Sequence, residues 1–369
     1  MMKNNDTVTP YQVGVVLIMT ITSTAMFSLV SILTETAGGD IWLILAIGGL
    51  LALAAAFITV TLGKRFPQKT LAEYSQLITG KLIGRLITLL FAIYFVCVMA
   101  FLIREFTEVI KMFLLFRTPT EVIMITLILS FTYVVRAGIE CVTRVITVIF
   151  PIVFIMMALI IIPGVFPLDF SNVLPVFQNV PAKLIASLPG LMLCFGGFET
   201  LLFYSGFVKN PKKLYKSVAL AMVFITCFYI AVGVICVAAF GDRFASEMIW
   251  PLLEFVRDIS LPGLFIERLD GIVLSLWIGA IFACCTSLYY ISSYSISKVI
   301  NTKEQKQFVL PMAVVIYYLA LQPDDLAQLY AWGEKMFTYV LPVMAIGIPV
   351  ILLAIAKFKK LGVKNNEKA

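Results

Sequence analysis

The spacing of its charges constrains this chain more than any other feature. Read between them, the 369 residues fall into ten apolar runs, at roughly 11–33, 41–63, 86–112, 121–136, 143–163, 184–207, 217–240, 269–297, 307–323 and 336–356. A bilayer core takes about 20 apolar residues per helix, with a range of roughly 17–25. Most of the runs have that length. The fourth has only 14 uncharged residues, Val122 to Val135, and reads either as a tight span or as a re-entrant segment. The eighth is long enough to tilt or to extend beyond the membrane. A soluble globule is excluded, because 61% of the residues are hydrophobic and 13% charged, against about 45–50% and about 25% in soluble domains. The expected fold class is an all-α integral membrane protein of about ten transmembrane helices, one permease-like domain over residues 1–369.

Lys and Arg prefer the inner side of a membrane. With the N-terminus inside, twenty of them fall on inner segments, seven on outer ones, and Arg104 lies within a span. Were the fourth run not to cross, the lysines at 209–216 and 298–306 would move outside and the bias would vanish. The pattern therefore predicts ten crossings with both termini cytoplasmic. Met1–Pro10 is expected to be a cytoplasmic stub, because Lys3 is offset by Asp6 and the following run is too long for a cleaved signal. Residues 357–369 form a basic cytoplasmic tail. The net charge of +7 thus faces membrane lipid and implies no nucleic acid. Two connections are long. Gly63–Arg85 contains Thr70–Thr79, expected as an amphipathic helix on the inner membrane surface. Gly241–Arg268, with Pro251 and Pro262, is either a lid over an outer vestibule or a plain connector.

The chain has no His, which excludes His-based catalysis and metal binding. Its seven Cys form no CxxC and read as small apolar residues, with no disulfide framework, metal or cofactor implied. No nucleophile–base set is visible, so an enzyme is not expected.

Many transporters consist of two inverted repeats whose broken helices meet at mid-membrane. Ten spans divide into five and five, over 11–163 and 184–356, so segments one and six should both be interrupted. Segment six contains Phe195-Gly196-Gly197-Phe198-Glu199-Thr200. Each helical Gly costs about 1 kcal/mol relative to Ala. A carboxylate at membrane depth costs about 2.5–3.5 kcal/mol on insertion scales, which makes Glu199 a functional candidate. It would bind a ligand amine or exchange a proton; alternatively, the glycines serve only close packing. Segment one has a run of hydroxyls from Thr20 to Ser28, and Ser23, Thr24, Ala25 and Met26 are the expected break. The alternative is an unbroken helix with back-bonded hydroxyls. In segment three, Arg104, Glu105 and Glu108 lie about 27 Å from the inner start by helical rise, so they snorkel at the outer interface or form an outer gate. Asp270 has the same interfacial reading. Ser275, Gly279, Phe282 and Thr286 share one stripe of segment eight, which suits a cavity or tight packing.

The chain resembles the B-subunit permease of GerA-type spore germinant receptors, a branch of the amino acid–polyamine–organocation superfamily. The resemblance is carried by Thr9-Pro10-Tyr11-Gln12, Arg104-Glu105-Phe106, Thr118-Pro119-Thr120-Glu121, Arg136-Ala137-Gly138-Ile139-Glu140 and Arg144. It continues through Gly196-Gly197-Phe198-Glu199, Asn210-Pro211-Lys212-Lys213, Ile266-Glu267-Arg268-Leu269-Asp270 with Trp277, and Gln322-Pro323-Asp324-Asp325. It implies a LeuT-like fold with helices 1 and 6 broken, residence in a spore inner membrane, and a complex with an A-type membrane subunit and a C-type lipoprotein. It also implies binding of a small nutrient, an amino acid or a sugar, at the breaks. One departure is that neither Gly nor Pro occurs between Val15 and Thr36, where family members often have both. The expected function is a germinant-sensing subunit; a proton-coupled amino-acid transporter and a ligand-free scaffold are the alternatives.

Overall fold

The computed structural model describes residues 7–164, 168–174, 177, 180–209, 211–258, 269–302 and 304–362. The start of the stub, Asn210, Pro262, Ile266-Glu267-Arg268 and the end of the tail lie outside the described residues. Within them the chain is helical without a strand, and one isolated bridge joins Val8 to Val208.

Helix α1 (Pro10–Ala25) starts at a capping box. The Thr9 N–H donates to Gln12 Oε1 at 2.9 Å and the Gln12 N–H to Thr9 Oγ1 at 3.3 Å, with Pro10 at the first position. The helix stops at Met26–Ser28 and resumes as α2 (Leu29–Ala37). There follow α3 (Ile41–Arg65), α4 (Leu71–Thr79), α5 (Lys81–Phe113), α6 (Thr120–Arg136) and α7 (Ile139–Gly164). The second half opens with α8 (Val180–Phe195), which breaks at Gly196–Gly197 and continues through a 3₁₀ turn (Phe198–Thr200) into α9 (Leu201–Phe207). Then come α10 (Leu214–Phe240), the short α11 (Asp242–Glu247) and α12 (Pro251–Asp258), α13 (Leu269–Ile300) and α14 (Lys306–Leu321). The last passage runs from α15 (Leu326–Lys335) through π-helical turns at Met336–Val340 and Val343–Gly347 into α16 (Ile348–Phe358).

Every apolar run of the sequence is thus a helix or a broken pair. The tenth begins about three turns before its apolar run, at Leu326, where the Asp325 carboxylate accepts from the Gln328 N–H at 2.8 Å. Glu334 and Lys335 obscure that start because this helix borders cavities rather than lipid alone. By length and composition, six stretches among the described residues can cross a membrane. The pair α8 and Phe198–Phe207, bent by 53°, makes a seventh. Helices α1, α6 and α14 are shorter.

Helix α1 packs against α10, α13, α7 and α8, and α5 lies along α13. Helix α4 is amphipathic as expected, and its buried face, including Tyr74 and Ile78, packs against α5. The α4 end of the bundle is fastened. Lys298 pairs with Glu73 at 2.8 Å, Tyr74 Oη donates to the Leu202 carbonyl at 3.3 Å, and the Val8 N–H donates to the Phe207 carbonyl at 3.0 Å. At the opposite end, α11 packs on α2 and α10, and α12 on α13.

Candidate functional site

The two interruptions meet. Gly197 has φ +120°, which side-chain-bearing residues rarely adopt, and a Cβ there would lie 3.0 Å from Thr20 Cγ2 and 3.2 Å from Ile21 Cγ1 of α1. A Cβ on Gly196 would lie 3.0 Å from Leu341 Cδ2, so the last passage also abuts the break. Glu199 is 2% exposed. Its Oε2 accepts from the Gly197 N–H at 2.8 Å and its Oε1 from Tyr94 Oη at 2.9 Å. Thr200 Oγ1 donates to the Gly197 carbonyl at 2.6 Å. A hydrogen bond contributes about 0.5–1.5 kcal/mol net, so the break is braced by Glu199, Thr200 and, from α5, Tyr94.

Segment one breaks without Gly or Pro. Thr22 donates to the Ile18 carbonyl at 2.7 Å, while Ser23 and Thr24 donate to that of Thr20 at 3.0 and 2.9 Å. Tyr229 Oη donates to the Ile21 carbonyl at 2.9 Å. The hydroxyl bonds are back-bonds within α1, which runs on to Ala25, and with the phenol they compete for its last carbonyls just before the break. Beyond Ala25 and the buried Met26, the Phe27 ring meets Trp277 edge-on at 4.3 Å, and Trp277 meets Phe106 at 5.0 Å. Thr20 Oγ1, buried beside Gly197, has no hydrogen-bond partner.

Ser23, Thr24, Gly197, Glu199 and Thr200 therefore converge, with Phe195 stacked edge-on to Tyr229 at 5.5 Å. Three participants were not singled out from the sequence: Tyr94, Tyr229 and Cys284. The Cys284 thiol lies near Ser23, Thr24 and Glu199. The sequence carries a signal for it, the stripe Trp277, Ala280, Cys284, Ser287 and Ile291 at helical spacing. The stripe chosen from sequence faces elsewhere. A Cβ on Gly279 would lie 2.7 Å from Ile149 of α7, Phe282 packs on Phe131 of α6 at 5.4 Å, and Thr286 Oγ1 donates to the Phe282 carbonyl at 2.7 Å. Ser275 is exposed. This face packs against neighbouring helices, because small residues suit close helix contact as well as a cavity.

A cavity of 770 Å³ lies above the breaks toward the α11–α12 end. Thr24 and Ser28 are in its wall, and its charged lining residues are all acidic: Glu35, Glu105, Glu247 and Glu334. The segment-three trio does not snorkel. Arg104 and Glu105 are 8% and 6% exposed. Arg104 pairs with Glu108 at 3.0 Å, and Tyr330 Oη donates to Glu105 Oε1 at 3.0 Å while accepting from Trp250 Nε1 at 2.9 Å. The enclosure by α15 was not legible from helical rise. Asp270, in the first turn of α13, is likewise buried. Among the described residues no three Cys, Asp or Glu side chains are grouped so as to hold a metal ion.

Residues 7–328 match the family model described as spore germination protein. Among curated relatives, spore germination protein YndE of Bacillus subtilis (strain 168) is 28% identical over 97% of this chain and 98% of its own length. Spore germination protein B2 of the same organism is 26% identical, covering 91% and 92%. Among solved structures, MhsT in complex with L-phenylalanine aligns with a TM-score of 0.66 at 14% identity, over 93% of this chain and 88% of that one. The substrate-bound outward-open state of a Na⁺-coupled sialic acid symporter aligns with a TM-score of 0.65 at 15% identity, over 94% and 78%. These likenesses establish the LeuT-like transporter fold.

Proposed function

This chain belongs to the spore germination protein family, and from that premise we propose that it is the nutrient-sensing membrane subunit of a spore germination receptor. It binds a small polar nutrient where the two broken helices meet and triggers germination. The observation that carries this reading is the convergence of both breaks around Glu199 beneath the acidic cavity. In this reading ten spans, with repeats over 11–163 and 184–356, leave the α4 end and both termini in the cytoplasm and the cavity open outward. The partners are the A-type membrane subunit and the C-type lipoprotein, in the spore inner membrane. Nutrient binding shifts the protein between states only through unequal affinity for them.

The cavity favours a nutrient bearing an amine, since its charged lining is wholly acidic. The amino-acid ligand of MhsT has that chemistry. Replacing Glu35 and Glu247 together by Gln should raise the amine-bearing nutrient concentration needed for half-maximal germination by up to about tenfold at low ionic strength. Salt should narrow that difference. A nutrient panel on spores, run at two ionic strengths, measures both; an unchanged dose–response opposes the charge argument. Tyr94→Phe should leave Glu199 Oε1 without its donor and shift half-maximal response by about tenfold. Wild-type sensitivity in such spores, at normal membrane levels, would oppose a role for that bond.

A proton-coupled amino-acid transporter is the second reading, favoured by the buried, hydrogen-bonded Glu199 in a fold shared with a symporter. Uptake of nutrient into vesicles containing only this chain, driven by a proton gradient, distinguishes it from a sensor.

A further inference from the structure

A second cavity, of 540 Å³, lies on the other side of α15 from the acidic one. It is a groove between α5, α14 and the last passage, walled by Leu90, Ile93, Leu319, Met336 and Met344. Leu90 and Ile93 are 41% and 52% exposed, so it opens on the outer wall of the bundle, where hydrocarbon lies. From Lys335 to Met344 it extends about 14 Å by helical rise, which matches one leaflet of about 15 Å. Lys335 lines it and has no ion-pair or hydrogen-bond partner for its side chain among the described residues. Trp332, half exposed, lies one turn away, a pairing typical of the membrane–water interface.

We propose that this groove is a lipid site, which takes one acyl chain of an anionic phospholipid with its phosphate at Lys335. The Lys stem is long enough to raise its ammonium toward the headgroups while its methylenes stay in the groove. The lipid tail would pack against Tyr94, whose hydroxyl holds Glu199. The groove also shares Phe101 and Gly333 with the acidic cavity, so these two residues form the partition between them.

The test is photolabelling of the full chain in mixed phosphatidylglycerol–phosphatidylcholine vesicles, using each lipid with a diazirine-bearing tail, followed by peptide mass spectrometry. Adducts should concentrate on residues 90–101 and 329–344, relative to the lipid-facing stretch 122–133 of α6. Phosphatidylglycerol should be preferred by about fivefold, the worth of one basic residue near an anionic surface. Ile93→Trp should remove the enrichment and leave labelling of 122–133 intact; Lys335→Gln should abolish the headgroup preference. Equal labelling of groove and α6, as annular lipid alone would give, overturns the site. So does enrichment that survives Ile93→Trp, or a headgroup preference that survives Lys335→Gln.

Discussion

Spores carrying Glu199→Gln are expected to need about 10–100-fold more nutrient for half-maximal germination, about 1.4–2.7 kcal/mol of binding free energy. The substitution is nearly isosteric. Gln Oε1 can accept from the Gly197 N–H, and its amide can donate to Tyr94 Oη, which rotates to accept; the two positions now bonded at 2.8 and 2.9 Å stay filled. What disappears is the capacity to carry a charge and to exchange a proton. Membrane levels of the chain should therefore match wild type, and an immunoblot of spore membranes checks that. Wild-type sensitivity to nutrient at wild-type levels would remove Glu199 from the centre of function.

A larger loss is expected for Gly197→Leu. Any side chain at φ +120° is strained, by about 1–3 kcal/mol. Overpacking against Thr20 and Ile21 adds about 1–3 kcal/mol, because the first carbon alone would sit 3.0 Å from Thr20 Cγ2. The side chain would separate the two breaks, and the nutrient response should be abolished. Gly197→Ala, with strain but little added volume, should retain a response weakened by about tenfold. This graded pair separates a disturbed site from failed insertion: Ala at normal membrane levels with an unchanged dose–response would contradict the placement of the site.

The helices were legible because charge spacing and apolar length are set by the bilayer, which acts on each span separately. The break at Gly196–Gly197 was legible for the same local reason, since paired glycines weaken a helix on their own. The break at Met26–Ser28 was half legible. Its hydroxyls show in the sequence, but Tyr229, which takes the Ile21 carbonyl, comes from another helix. Facing was the part left open. On α13, both the stripe through Gly279 and Thr286 and the stripe through Cys284 carry small residues, and only the neighbours decide which meets the breaks. Burial of Arg104 and Glu105 likewise depends on α15, whose charged residues hid its first turns from an apolar pattern.

A nutrient held between the breaks makes one quantity decisive: its equilibrium binding to the purified full chain, compared with the Gly197→Leu chain in the same detergent. Saturable binding to the wild type, lost in the variant while helical content by circular dichroism is unchanged, is the expected result. Equal binding by both chains, or none by a wild-type chain that still supports germination, would contradict it.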